Sequence, residues 1–272
     1  MDRHMSDTEE LAGGKLQVTR RAGVVRIVFN NPDKRNAMTL AMWQGLGDLC
    51  AALAEEDGLR VVTLEGAGER AFVAGADISE FAQTRGSSEA ADAYNAAVAR
   101  AERLLEAVPV PTLALVRGSC VGGGLGIAMR CDLRLARADA RFGITPAKLG
   151  LGYGFEGVAS LNRRLGHAVT ADLLFTGRLL PAEEAQARGI CDFVHPGETF
   201  EAECAAYVDT ISANAPLTIR TAKAALLELA KAEADQDPAR IARMIETCYN
   251  SDDYQEGQRA FAEKRAPVFK GR

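Results

Sequence analysis

The chain has 272 residues, 47% apolar and 25% charged. This is an ordinary folded-protein composition, long enough to bury a sizeable core in one large domain or one and a half average ones. The formal net charge of −5 excludes a global basic field for nucleic acid and leaves only a local basic patch as a route to one.

Residues 1 to 14, polar and acidic and ending in Gly13-Gly14, read as a flexible tail and are wrong for a signal peptide. Two β-rich runs, 16–20 and 24–30, flank Ala22-Gly23 and predict a hairpin. Asn31-Pro32-Asp33 is a turn, and Thr39 can cap a helix to about Glu55, with Trp43, Leu46, Leu49, Cys50 and Leu53 at helical spacing. A buried-type strand at 60–65 is followed by a loop through Phe72–Asp77 and an alanine-rich helix over 88–108, which Pro109 and Pro111 stop. Strands follow at 112–116 and near 132–136, separated by a glycine loop and a short helix. Strands alternating with helices predict an α/β class. Beyond residue 155 the pattern is mostly helical: 157–165, 168–176, 181–188, a strand at 190–194, then helices at 198–213, 216–233, 238–249 and 252–262. Pro196-Gly197 suggests a boundary between a core at 15–196 and a helical region at 197–272.

His4, His167 and His195 form no H-x-x-x-H or H-E-x-x-H, so a histidine-rich zinc site is not expected. Cys50, Cys120, Cys131, Cys191, Cys204 and Cys248 contain no C-x-x-C, and they read as reduced thiols of a cytoplasmic protein. The most apolar run, 107–116, is short and broken by prolines, so no membrane partner is expected.

Ten of the 26 glycines lie between Gly118 and Gly157. The densest stretch, Arg117-Gly-Ser-Cys-Val-Gly-Gly-Gly-Leu-Gly126, follows a strand and precedes an apolar run, which places unpaired backbone N–H groups at a helix start. It is neither a Walker loop nor G-x-G-x-x-G. Its alternative use is close packing of helix on strand. A second loop, Ala71–Ser79, also follows a strand and offers small residues with free amides. Two such loops could aim two N–H groups at one oxygen, the geometry of an oxyanion hole. Ser119 and Cys120 have no neighbouring histidine and read as packing residues. Trp43 and Phe81 read as core or pocket wall, and Tyr94 and Gln83 as contributors to a pocket wall.

An ordered set of motifs carries a resemblance: N-N-P-D-K-R-N-A-M (30–38), F-V-A-G-A-D-I (72–78), V-G-G-G-L-G-I-A (121–128), C-D (131–132), F-G-I (142–144), L-L-F-T-G-R (173–178), A-x-x-x-G-I-C-D-F-V (185–194) and E-G-Q-R-A-F-A-E-K-R (256–265). Over about residues 15–270 the chain resembles the enoyl-CoA hydratase/isomerase, or crotonase, family. The resemblance implies an α/β core of repeated ββα units and C-terminal helices that mediate a homotrimer or a dimer of trimers. It implies an acyl-CoA substrate and no separate cofactor or metal. The thioester oxygen would meet the backbone amides of Ala76 and Gly123, with Gly122 beside them. Lys34, Arg35, Ala37, Ala74, Asp77 and Ile78 would line the CoA arm, and Lys34, Arg35, Lys264 or Lys270 would meet its phosphates. Asp77 also reads as a loop carboxylate capping local N–H groups.

Hydratases of the family carry one glutamate where this chain has Gly126 and a second where it has Pro146. Neither residue moves a proton, which argues against standard hydratase chemistry. Tyr153 matches a tyrosine of the family's methylmalonyl-CoA decarboxylases, although those carry histidine at the position of Ala76. The family's dehalogenases need an aspartate where Gly154 stands. Glu156 opens a helix and serves either as a proton handler or as a helix-dipole partner. The resulting expectation is an enzyme that stabilises a thioester enolate, with Tyr153 or Glu156 moving protons. The alternatives are a decarboxylase-like lyase and a non-catalytic acyl-CoA binder.

Overall fold

The computed structural model describes residues 8–80 and 86–272. The elements run β1 (Glu9–Leu11), β2 (Leu16–Arg21), β3 (Val24–Phe29), α1 (Leu40–Ala54), β4 (Val61–Gly66), β5 (Ala71–Val73), α2 (Ser88–Glu106), β6 (Thr112–Val116), β7 (Ser119–Val121) and α3 (Gly123–Arg130). They continue with β8 (Leu133–Arg137), β9 (Arg141–Gly143), α4 (Phe155–Thr176), β10 (Leu180–Pro181), α5 (Ala182–Ala187), β11 (Phe193–His195), α6 (Phe200–Ala213), α7 (Pro216–Leu229), α8 (Pro238–Tyr249) and α9 (Asp252–Glu263).

A seven-stranded sheet has the order β1-β2-β3-β4-β6-β8-β11, antiparallel through β3 and parallel beyond it. A second sheet has the order β10-β9-β7-β5, with β5, β7 and β9 parallel. Each of β4, β6 and β8 passes within a few residues into a strand of the small sheet and then into a helix, which is the repeated ββα unit.

The large sheet is covered on both faces, so its central strands are continuously apolar rather than alternating. Val62, Leu64, Ala114 and Val116 face the main core with Trp43, Leu46 and Leu105, while Val61, Leu113, Leu115 and Leu135 face Phe200, Cys204 and Val208 of α6. Lys223 ties α7 to the same sheet: its buried Nζ donates to Val110 O and to Asp132 Oδ2, both at 2.7 Å. Lys223→Met keeps the aliphatic stem but orphans the Val110 carbonyl. It should cost about 2 kcal/mol in chemical denaturation.

Residues 9–11 depart from the expected tail. They pair with β2 (Glu9↔Val18, Leu11↔Leu16) because the turn at Ala12-Gly13-Gly14, all at positive φ, folds them back as an edge strand. The segments expected at 157–165 and 168–176 are one helix, interrupted at Gly166 (φ 75°). The strand expected from residue 190 begins at Phe193. β5 and β7 lie where the sequence pattern predicts loops, because three-residue strands are too short to show an alternating pattern.

Candidate active site

The small sheet builds the site. β5 and β7 lie side by side and parallel (Ala71↔Ser119, Val73↔Cys120), so the loops after them leave the same sheet edge together. Loops at the C-terminal ends of parallel strands are where open α/β sheets bind ligands. The two loops approach closely at their glycines: a Cβ added to Gly122 would lie 3.6 Å from Gly75 Cα, and one added to Gly75 would lie 3.6 Å from Val121 O. Gly122 sits at φ 56°, ψ −119°, a conformation that only glycine adopts at low cost, and it turns the chain into α3.

Ala76 and Gly123 each follow one of these contact glycines. Met38 N–H donates to Gly75 O (2.8 Å) and Asp77 N–H to Met38 O (2.9 Å). These are the two bonds of a parallel bridge between Met38 and Ala76, and they turn the Ala76 N–H to the opposite side. Among the described residues it meets no acceptor. Gly123 is the first residue of α3, so its N–H has no carbonyl within the helix to bond. The indole of Trp43 forms the wall here, with Cζ2 3.0 Å from the place a Gly123 Cβ would take. Trp43 Nε1 donates to Tyr94 Oη at 3.0 Å, which fixes that wall.

The 34–37 loop lies against the 74–77 loop: Ala74 N–H donates to Arg35 O (3.1 Å), and Ala37 is buried beside it. Ile78 is exposed at the rim. Lys34 is already engaged, donating to Asp77 Oδ2 (2.8 Å) and Ser79 Oγ (2.6 Å). Burial alone would raise the Asp77 pKa, but the Lys34 and Ser79 hydrogen bonds outweigh it and hold the carboxyl below its ordinary range. Asp77 Oδ1 also accepts from Ser79 N–H at 3.0 Å, the local capping role that suits a loop aspartate.

A group whose folded pKa is depressed contributes stability above its ordinary value and loses it as pH falls through the lowered one. Lys34→Met should therefore cost about 1 kcal/mol near neutral pH. The gap to wild type should close as Asp77 is protonated, as read by urea melts at neutral and acid pH. Lys264 is exposed at the C-terminus of α9, on the helical tail and not on either amide-bearing loop, and Lys270 is likewise exposed there.

Gly126 is one turn beyond Gly123 on α3, and its surroundings were not anticipated. A Cβ built there would lie 2.6 Å from Glu102 Oε1 and 4.0 Å from Tyr153 Oη. Glu102 comes from α2 and is buried; Arg130, four residues after Gly126, donates to its Oε2 from Nε (3.3 Å) and Nη2 (3.2 Å). Tyr153 packs its ring on Gly157, and burial, with the Glu102 charge, pushes its phenol pKa well above the ordinary value. Glu156 lies exposed in the first turn of α4. Cys120 is fully buried, and burial raises its thiol pKa well above the ordinary value, which suits packing. Phe81 and Gln83 lie outside the described residues.

The signal for Glu102 was present in the sequence. It falls inside the apolar stripe Tyr94, Val98, Ala101, Leu105 of α2, where a charge is out of place.

Residues 19–272 match the family model described as enoyl-CoA hydratase/isomerase. The chain belongs to the enoyl-CoA hydratase/isomerase family. A crotonyl-CoA hydratase of Syntrophomonas wolfei is 32% identical over 243 residues, covering 89% of this chain and 93% of that protein. The solved structure of an enoyl-CoA hydratase/carnithine racemase from Magnetospirillum magneticum superposes with a TM-score of 0.88 at 33% identity, covering 100% of this chain and 99% of that one. An enoyl-CoA hydratase from Bacillus anthracis gives a TM-score of 0.84 at 31% identity, covering 95% of this chain and 100% of that one. The crotonase-type α/β fold expected from the motifs is the fold observed, and acyl-CoA processing is the family's chemistry.

Proposed function

We propose that this chain is an acyl-CoA enzyme that binds the thioester oxygen between the N–H groups of Ala76 and Gly123 and stabilises the enolate that forms when the neighbouring carbon loses or gains a proton. The observation that carries the reading is the close approach of the two loops at Gly75 and Gly122, each one residue before an amide that meets no acceptor among the described residues. Preorganised donors of this kind stabilise charge where it develops and need no reorganisation during reaction. The adenine nucleotide arm would lie along 34–37 and 74–78, with Arg35 at its phosphates. Lys34, held by Asp77, shapes that loop.

Gly126 and Pro146 carry no acid or base, so the reaction depends on groups that approach from elsewhere. Incubation with crotonyl-CoA, a 3-enoyl-CoA and methylmalonyl-CoA tests the reading and separates hydration, isomerisation and decarboxylation. Turnover of one of them supports it. Micromolar binding with no turnover of any would instead establish a non-catalytic binder.

Assembly into trimers or dimers of trimers is part of the same proposal. Leu226 and Leu229 are exposed on α7, and Tyr249 and Phe261 are exposed beside a cavity of about 790 Å³ that Ile241 and Ile245 also line. Exposed apolar surface of this kind favours association.

A further inference from the structure

We infer that Glu102 is the proton-transferring carboxylate of this site, delivered from α2 into the space that Gly126 leaves open on α3. The inference rests on the acyl-CoA reading above and concerns the same pocket.

Three elements converge on one point. Glu102 Oε1 and Tyr153 Oη lie 2.6 Å and 4.0 Å from the position of a Gly126 Cβ, so any side chain at 126 would fill the space that Oε1 faces. Arg130 occupies Oε2 alone, and no hydrogen bond reaches Oε1 among the described residues. The guanidinium therefore orients the carboxylate and leaves its working oxygen open. Gly126 is three residues after Gly123, and residues at that spacing share a helix face with a rise of about 4.5 Å. Oε1 thus lies about one helical turn from the oxyanion amide, and the carbon next to a thioester carbonyl is two bonds from its oxygen.

The step balances within the site. Oε1 takes the proton from the carbon next to the thioester carbonyl. The C–H electron pair moves into the enolate, and the negative charge settles on the oxygen at Ala76 and Gly123. The protonated carboxyl then returns the proton to the same or a conjugated carbon.

The groups facing Glu102 are Arg130 from α3, Glu106 from its own helix, Tyr153 just before α4 and Glu156 in its first turn. Burial raises the Glu102 pKa above the ordinary carboxylate range. Arg130 opposes this, and the Glu106 and Glu156 charges add to it. A raised carboxyl is better matched to proton transfer near neutral pH.

Exchange of the α-protons of butyryl-CoA in D₂O, followed by proton NMR, tests the inference on the intact protein. Wild type should exchange them, with a rate that rises with pH through the raised Glu102 value. Glu102→Gln should exchange at least about 100-fold more slowly, lose that pH limb and bind butyryl-CoA within about threefold of wild type. Glu102→Asp keeps a charge for Arg130 but withdraws the carboxylate from Gly126. It should remain folded by circular dichroism, recover part of the rate and keep the pH limb, and it decides the question if the glutamine variant does not fold. Exchange within threefold of wild type in the folded glutamine variant, or exchange that has lost its pH limb in the aspartate variant when glutamine fails to fold, overturns the role of Glu102 and leaves the acyl-CoA reading intact. Wild type that binds butyryl-CoA without exchange overturns the base role and the enolate chemistry together. Wild type that does not bind it overturns the acyl-CoA reading itself.

Discussion

Gly123→Pro should lower turnover of the best acyl-CoA substrate by about 100- to 1,000-fold, the usual effect of removing one oxyanion donor. Proline fits the first residue of a helix, where its missing N–H costs no helical bond. The substitution therefore removes the donor and spares α3. The new ring also meets Trp43, whose Cζ2 is 3.0 Å from the Cβ position. Gly123→Ala is the matched control, since it makes the same contact and keeps the N–H. It should retain turnover within about tenfold of wild type, given that a contact at that distance can relax by a few tenths of an ångström. Equal losses in the two folded variants would mean that sterics and not the amide govern the rate, and the assignment of Gly123 would fall.

Gly124→Ala should have the largest effect on stability at the site. A Cβ there would lie 2.1 Å from Val73 O and 2.9 Å from Val73 C. Both are backbone atoms of β5, which pairs with β7 and cannot turn aside as a flexible side chain would. Either the start of α3 or the end of β5 must move. The expected cost is about 3 kcal/mol or more, at the upper end for overpacking, with a midpoint in urea that falls accordingly. Turnover should fall in the protein that remains folded, because Val73 immediately precedes the loop that carries Ala76. Gly152→Ala provides the contrast: its Cβ meets nothing within 4 Å, and stability should change by less than about 0.5 kcal/mol. Similar midpoints for the two variants would refute the close approach of α3 to β5.

The long elements were legible in the sequence because their periodicity has room to repeat. α1 begins after Thr39, whose hydroxyl accepts from Met42 N–H at 3.2 Å, as its capping position suggested. α2 ends just before the two prolines that were expected to stop it. The small sheet was not legible, yet it brings the two amide loops together. Three-residue strands carry too little pattern, and their pairing is decided by tertiary context.

The resemblance implies Ala76 and Gly123, and the loops that carry them run close together at Gly75 and Gly122. Glu102 was passed over for a different reason. It lies 24 positions before Gly126, and only the packing of α2 against α3 shows that one residue's carboxylate fills the space left by the other's missing side chain. The resemblance implies a phosphate contact for Lys34, and its partners Asp77 and Ser79, more than forty positions away, cannot be paired with it from spacing alone.

The indole beside Gly123 gives the protein a built-in optical probe. Trp43 is the single tryptophan in the chain, and it is buried with its N–H on Tyr94. Intrinsic fluorescence excited at the red edge of the protein band therefore originates at one wall of the amide pocket. A ligand entering there changes the polarity and quenching around that one ring, so affinities for natural, unlabelled thioesters can be titrated by emission alone.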